Sequence, residues 1–415
     1  MSQYTVDDII EFVEENDVKF IRLAFCDLYG NQKNISIMPQ ELRQAFDQGI
    51  NFDSFLILGF DDGKYEDLFI KPDPDTLHVL PWRPQSGRVI RFYCNVVLSD
   101  GTPFPYDYRR FLKDTLDECQ AEGFTTKMGL KSEFYLFKTD EEGNPTPEPF
   151  DHGGYMDVAP NDKGENIRRE ICLTLEEMGI RPESSHHERG PGQNEIDFAS
   201  SDVLTSADNL VTYKNVVENI ASRNGVFASF DPKPMEDLPG NGLHIKLANF
   251  RGNVNLMEYD REFSESFMAG ILNRMRDITV FLNCRSDSYA RFGLSEAPKY
   301  ITWSAQNRSR LLRVPEVNGQ RSCFVLRSPD SAINPYMAAA MVIQAGLAGV
   351  RNSEKLPPAQ DISSRLMSQE EKKHLPKLPM SLEEAIECAN TSEFINNSHF
   401  AEIALRYIDT IKESN

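Results

Sequence analysis

The chain has 415 residues, 40% hydrophobic and 26% charged, which excludes a wholly disordered polypeptide and supplies a sizeable core. Lysine plus arginine number 44 against 64 aspartates plus glutamates, a formal charge of −20, which argues against nonspecific binding to nucleic acid or anionic membranes. No run of about 18 apolar residues occurs, and Asp7, Asp8 and Glu11 stand where a secretion signal needs positive charge. The seven cysteines are scattered without a CxxC pair, so free thiols and a cytoplasmic location are expected.

In chain order, TVDDIIEFVEEN sets apolar residues at helical spacing behind a Thr cap and predicts a helix over 5–16. VKFIRLAFCDLYGNQKNISI reads as two strands around a Gly-Asn turn, and TLHVLPW and RVIRFYCNVVL as further strands. The polar, proline-containing stretch SDGTPFPYDYRR then marks a boundary near residue 103, dividing a small α/β unit, 1–103, from a larger domain, 104–415. RRFLKDTLDECQAEGF opens the larger unit as a helix. Short strands follow (TKMGLKSEFYLF, NEIDFA, GLHIKLANF), alternating with helices (GENIRREICLTLEEMG, SADNLVTYKNVVENIASRNG, REFSESFMAGILNRMRDITVFLN, PYMAAAMVIQAGLAGV). The last of these is too short and too alanine-rich for a membrane span and suits a buried helix. The stretch SSRLMSQEEKKHLPKLPMSLEEA reads as a solvated connector into one final helix. Trp303 is expected in the core.

Acidic side chains interrupt apolar strand text at three points: Glu133 in GLKSEFYLF, and Glu188 and Glu195 on either side of a Gly-Pro-Gly turn. A carboxylate in a core strand is costly unless paired or metal-bound, and three acids from neighbouring strands suit Mg²⁺ or Mn²⁺. Spacing alone leaves open that these acids face solvent.

The words SHHERGPGQNEID, GGYMDVAP, DPKPMEDLPGNGLHIK, YARFGLSEAPKYITWSAQNRSRLLRVP and LRSPDSAINPY occur in that order. Together they resemble the glutamine synthetase family, in its shorter bacterial form. The resemblance implies an α+β fold: an N-terminal β-grasp domain, then a catalytic domain whose antiparallel half-barrel is flanked by helices. It implies a dodecamer of two hexameric rings, with Mg or Mn as cofactor and glutamate or an analogue, ammonium or an amine, and ATP as substrates. Residue by residue, it assigns Glu133, Glu188 and Glu195 to a metal, Asp53 and Glu296 to catalysis, and Tyr155 to the ammonium pocket. Gly240, Arg291, Arg308 and Arg327 fall to the substrate, and His186, Lys246 and Arg313 to the nucleotide. His187 is read as packing.

The departures gather at the second metal position, between the nucleotide phosphates. Only His244 persists there, with Lys131 and Val325 where the family has glutamates. Lys246, Cys323 and Pro239 replace a His, an Arg and an Asn, Leu56 replaces a Ser beside Asp53, and the segment before Glu296 is one residue short. Lys131 and Lys246 would then neutralise phosphate oxygens directly. Three readings stay open: a ligase forming an acyl-phosphate, an ATP-independent metal-dependent amide hydrolase, and a non-catalytic ring protein.

Overall fold

A computed structural model describes residues 4–61, 63–65, 67–83, 85–362 and 366–414. Helix α1 (Val6–Glu15) starts at the expected Thr cap, where Thr5 and Asp8 cap each other reciprocally. The first sheet comprises β1 (Val18–Cys26), β2 (Gln32–Ile37), β3 (Ile50–Asp53), β4 (Asp67–Pro72), β5 (His78–Val79) and β6 (Arg88–Val97). Its order is β2-β1-β6-β4-β3, with β5 beside β6 and the central β1–β6 pair parallel. Helix α2 (Leu42–Asp47) buries Leu42 and Ala45. This is a β-grasp unit.

Helix α3 (Tyr108–Ala121) begins the larger unit, capped by Asp107. Its sheet holds β7 (Thr125–Thr139), β8 (Pro145–Pro149), β9 (Pro182–His187), β10 (Gln193–Asp202), β11 (Val226–Ser229), β12 (Leu243–Arg251), β13 (Val254–Asn255), β14 (Trp303–Ser304) and β15 (Leu312–Arg313). A two-stranded hairpin, β16 (Glu316–Val317) with β17 (Gln320–Arg321), leads into β18 (Phe324–Leu326). The spatial order β14-β15-β18-β12-β7-β10-β9 is antiparallel except at β14–β15 and forms the half-barrel. Trp303 on β14 is buried, and its indole N–H donates to the Pro357 carbonyl at 2.6 Å.

Helices α4 (Glu165–Glu177), α5 (Val203–Arg223), α6 (Leu256–Tyr259), α7 (Arg261–Leu282) and α8 (Pro335–Arg351) flank the half-barrel. The apolar, alanine-rich text of α8 is buried nearly all round, as the sequence predicts. It lies against α7 at glycines: a Cβ at Gly349 would meet the Ser266 carbonyl at 2.2 Å and the Gly270 Cα at 2.5 Å. Gly349→Ala should therefore destabilise the chain by about 1–3 kcal/mol through overpacking. The intrinsic helix preference of alanine returns at most ~1 kcal/mol. A lowered urea midpoint is the expected reading; an unchanged or raised one would mean the helices separate freely.

The C-terminal stretch departs from expectation. It contains α9 (Gln369–Lys373), α10 (Leu382–Asn390), α11 (Glu393–Asn396) and α12 (Ala401–Ser414) rather than a connector and one helix. Serines at 368, 381 and 392 cap the first three, which is how such short helices start in polar text. Residues 363–365 of the supposed connector lie outside the described residues. Farther on it is not solvated throughout: Leu378 is fully buried, and 376–378 bond to 299–301 through Ile301 N–H to Pro376 O and Leu378 N–H to Lys299 O. All seven cysteines are free thiols. Among the described residues, no helix is long and apolar enough to cross a membrane.

Candidate active site

Strand register brings the scattered charges into three rungs on one face of the half-barrel, because alternate residues of a strand share a face. On the first rung His186, Glu195 and Glu133 stand side by side across β9, β10 and β7. On the second, Ser184, Asp197, Lys131 and His244 run across β9, β10, β7 and β12. The third carries Gly129, Lys246, Val325 and Arg313 across β7, β12, β18 and β15. The acidic end and the basic end of the site are thus separated by two pleats of the same strands.

The first two rungs open on a cavity of about 700 Å³. Of the residues assigned from sequence, Glu133, Tyr155, His186, Glu188, Glu195, Gly240, His244, Arg291, Glu296, Arg308, Arg313 and Arg327 all line it. Lys246 is on the third rung and does not line the cavity. Asp53 lies outside it, exposed at the end of β3, where its carboxylate accepts the Phe55 N–H at 2.9 Å. Leu56 beside it is 80% exposed.

Carboxylates crowd the acidic rung. Ligand atoms of His186, Glu188 and Glu195 all lie within 4.8 Å of one another. The His186 ring nitrogen Nε2 is 3.0 Å from Glu188, whose carboxylate holds the imidazole above its ordinary pKa, and Tyr155 meets the ring edge-on at 5.5 Å. Burial, with Asp197 and Glu188 nearby, pushes Glu195 up to about 7. Burial and the charges of Glu195 and Glu188 push Glu133 well above the carboxylate range, although its Oε2 accepts the Gly242 N–H at 2.7 Å and the Gln193 amide at 3.2 Å. Crowded carboxylates that repel one another in a buried place are a donor set that fits a divalent cation of the Mg²⁺ or Mn²⁺ type.

A second group, Asp151, Asp162 and His187, is structural. The Asp151 carboxylate accepts from the His187 ring and from the Gly192, Gly153 and Lys163 N–H groups, and Asp162 is paired with Arg168. It pins the turn carrying Glu188, and His187 packs as the sequence predicts.

On the second rung Lys131 is already engaged. Its ammonium donates to Asp197 and lies 3.7 Å from Glu195. Burial would lower its pKa, but those two carboxylates outweigh it and keep it above the ordinary value. The Ser184 hydroxyl donates to the same Asp197 oxygen at 2.6 Å. His244 is driven well below its ordinary pKa by burial and by Arg327 and Lys131, so its imidazole is neutral.

Arg291 is buried and donates to the Ser328 and Pro329 carbonyls at 3.3 and 3.2 Å, with Asp330 at 3.6 Å. Gly240 is needed beside it, since a Cβ there would meet Arg291 Cγ at 2.6 Å and the Pro232 carbonyl at 2.2 Å. Glu296 spans the mouth, bonded to Arg189 and to Arg327, each at 3.0 Å. Ser295 before it takes φ +51°, a strained value for a side-chain-bearing residue. Arg327 Nε and Arg313 Nε are buried with no partner among the described residues. Sequence reasoning missed Asp197, Ser184, Arg189 and Gln193. Only Asp197 had a usable signal, as the acid two residues beyond Glu195 on the same strand face.

A β-grasp sheet joined to an antiparallel half-barrel, with an acidic rung facing arginines across one cavity, defines the class. Residues 17–99 match the glutamine synthetase β-grasp domain and 105–415 the glutamine synthetase catalytic domain, and the chain belongs to the glutamine synthetase family. A glutamine synthetase of Clostridium saccharobutylicum is 41% identical over 402 residues, covering 95% of this chain and 91% of the relative. One of Methanosarcina mazei is 41% identical over 406 residues, 95% and 90% covered. Among solved structures, a GmaS/ADP complex superposes with TM-score 0.89 at 26% identity over 98% of this chain and 95% of the other. A Plasmodium falciparum glutamine synthetase shares the fold, with TM-score 0.87 at 22% identity over 100% and 96%.

Proposed function

We propose that the chain is a ligase that joins the γ-carboxylate of glutamate, or a related acid, to ammonia or an amine through an ATP-derived acyl-phosphate. The observation that carries this reading is the convergence of Glu133, Glu188 and Glu195 with Arg291, Arg308, Arg313 and Arg327 on one cavity. Transfer of the γ-phosphoryl group to a carboxylate oxygen, with ADP as the leaving group, needs positioning and neutralisation of negative charge rather than a protein nucleophile. A Mg²⁺ or Mn²⁺ ion held by Glu133, Glu188 and Glu195 would supply that neutralisation. Arg291, Arg308 and Arg327 would hold the acid substrate, and Arg313, His186 and Lys246 would serve the nucleotide. Glu296 covers the mouth and is the group to accept a proton from the incoming amine. Tyr155, roughly half exposed beside His186, walls the amine pocket.

Asp53 fits a pocket completed by a second copy, in a cytoplasmic homo-oligomer of two hexameric rings. Its neighbours Phe55, Leu56 and Leu58 are apolar and 45%, 80% and 40% exposed in the single chain. Leu56 beside Asp53, and Pro239 in the cavity wall, favour an acid or amine other than glutamate and ammonium. The names of the relatives support ligation, and the ADP in the GmaS complex supports a nucleotide.

The test is ADP release from ATP with Mg²⁺ or Mn²⁺, an acid and an amine, each omitted in turn. Release should need every component and should rise when the right amine replaces ammonium. No release with any acid and amine pair, from folded and metal-loaded protein, overturns the ligase reading. Cation-dependent cleavage of a γ-glutamyl amide without nucleotide would instead establish the hydrolase.

A further inference from the structure

The second rung does not fit the second divalent cation that the family resemblance implies. Its oxygen donors reduce to Asp197, and one oxygen of that carboxylate already accepts both the Lys131 ammonium and the Ser184 hydroxyl. What remains is Asp197 Oδ1, buried and without a partner among the described residues, and the imidazole of His244. Two donors beside a fixed ammonium make a poor site for a hard dication, which takes six or more oxygen ligands and is repelled by the lysine. The next rung adds Lys246, Val325 and Arg313, and no carboxylate. Positive charge is built into the chain at the place where an ion would have to bring it.

We propose that the cavity takes a single divalent cation, on its acidic rung, and that Lys131 takes over the role of a second by meeting the phosphate oxygens of a nucleoside polyphosphate. Asp197 is the positioning residue. With Ser184 behind it and Glu195 at 3.7 Å from the ammonium, it holds Lys131 upright on the sheet, while the lysine side chain stays 43% exposed and open to the cavity. The inference rests on the metal-dependent reading of the same cavity and deepens it by stating how many ions that cavity holds and what replaces the missing one.

The experiment counts ions directly on the full-length chain. Purified protein, stripped of metal, is titrated with Mn²⁺ while the free aqueous ion is followed by its electron paramagnetic resonance signal. One tight Mn²⁺ per chain is expected, and two in a variant carrying both Lys131→Glu and Val325→Glu. Two tight ions in the natural sequence, or none, overturn the inference. ADP is then titrated at saturating Mn²⁺. Lys131→Met should weaken ADP binding roughly tenfold, the loss of one charge-assisted hydrogen bond, and Lys131→Arg should restore part of it. Asp197→Asn should weaken ADP binding by a smaller factor while the ion count stays at one. Unchanged ADP affinity in both Lys131→Met and Asp197→Asn overturns the role given to the lysine. The two readings fail separately: one ion and no turnover removes the ligase proposal and leaves this one, whereas turnover with two ions does the reverse.

Discussion

Glu195→Gln is expected to make the cation-free protein more stable at pH 8 while removing cation binding and turnover together. Glu195 has its pKa pushed up to about 7 by burial and by Asp197 and Glu188, against an ordinary 4.5. A carboxyl raised in the fold contributes stability that is fully present below its unfolded pKa and is lost as pH rises through the folded one. Between about pH 4.5 and 7 the cation-free chain should therefore lose stability, by up to about 3 kcal/mol from this group. Glutamine removes the charge that must be buried, so the variant should not show that loss. Mg²⁺ or Mn²⁺ should stabilise the natural chain most at pH 8, above the point where Glu195 titrates, and the variant hardly at all. Turnover should fall about 100-fold or more, since even groups one step removed from a metal cost 10–100-fold. Thermal unfolding at pH 5 and pH 8, with and without Mn²⁺, reads all of this. A variant less stable than the natural chain at pH 8 without metal would mean that Glu195 is ionised and well paired by Lys131 alone.

Asp208→Ala is expected to cost about 3–5 kcal/mol of stability, the usual penalty for removing one partner of a buried ion pair. Asp208 sits on α5 and accepts two bonds from the Arg109 guanidinium, at 3.0 and 2.9 Å, and one from the Tyr336 hydroxyl at 2.7 Å. Arg109 is buried on α3 and also donates to Asp73 at 2.9 Å and Asn95 at 3.2 Å, both in the β-grasp unit. One guanidinium therefore joins the small unit, α3, α5 and, through Tyr336, α8. Combining Asp208→Ala with Arg109→Met should recover part of the loss, because the buried guanidinium is removed with its main partner and the one charged group that loses a bond is the partly exposed Asp73. Urea unfolding of the two single variants and the double one decides it. A loss below about 1 kcal/mol for Asp208→Ala, in the range of an exposed pair, would sink the idea that this network ties the units together.

Much of this architecture was legible where local pattern and burial agree. The Thr5 cap, the buried α8 and the long strand β7 follow from periodicity that needs no partner to interpret. The strands β3 and β9 were not read, because INFD is short and PESSHH is polar, and each owes its pairing to a neighbour distant in sequence. The serine-capped helices near the C-terminus were lost in charged text for the same reason. In the site, Glu133, Glu188 and Glu195 stood out as acids in apolar surroundings. The partner of Lys131 did not, because Asp197 lies 66 positions away and only strand register brings the two together. A lysine in place of an acid therefore reads in the sequence as a lost ligand, and in the fold as one half of an ion pair.

The chain has two tryptophans, and the fold gives one to each unit. Trp82 packs, half-buried, against the core beside the β-grasp strands. Trp303 is buried on β14, whose neighbour β15 carries Arg313. Its ring also stands on the strand that continues from the anchored segment behind Glu296. The molecule thus carries two built-in optical probes, Trp303 in the larger unit, on a strand beside the one that carries Arg313, and Trp82 in the small unit. With Trp82 replaced by phenylalanine, unfolding of the larger unit could be followed separately, in real time and without attaching a dye.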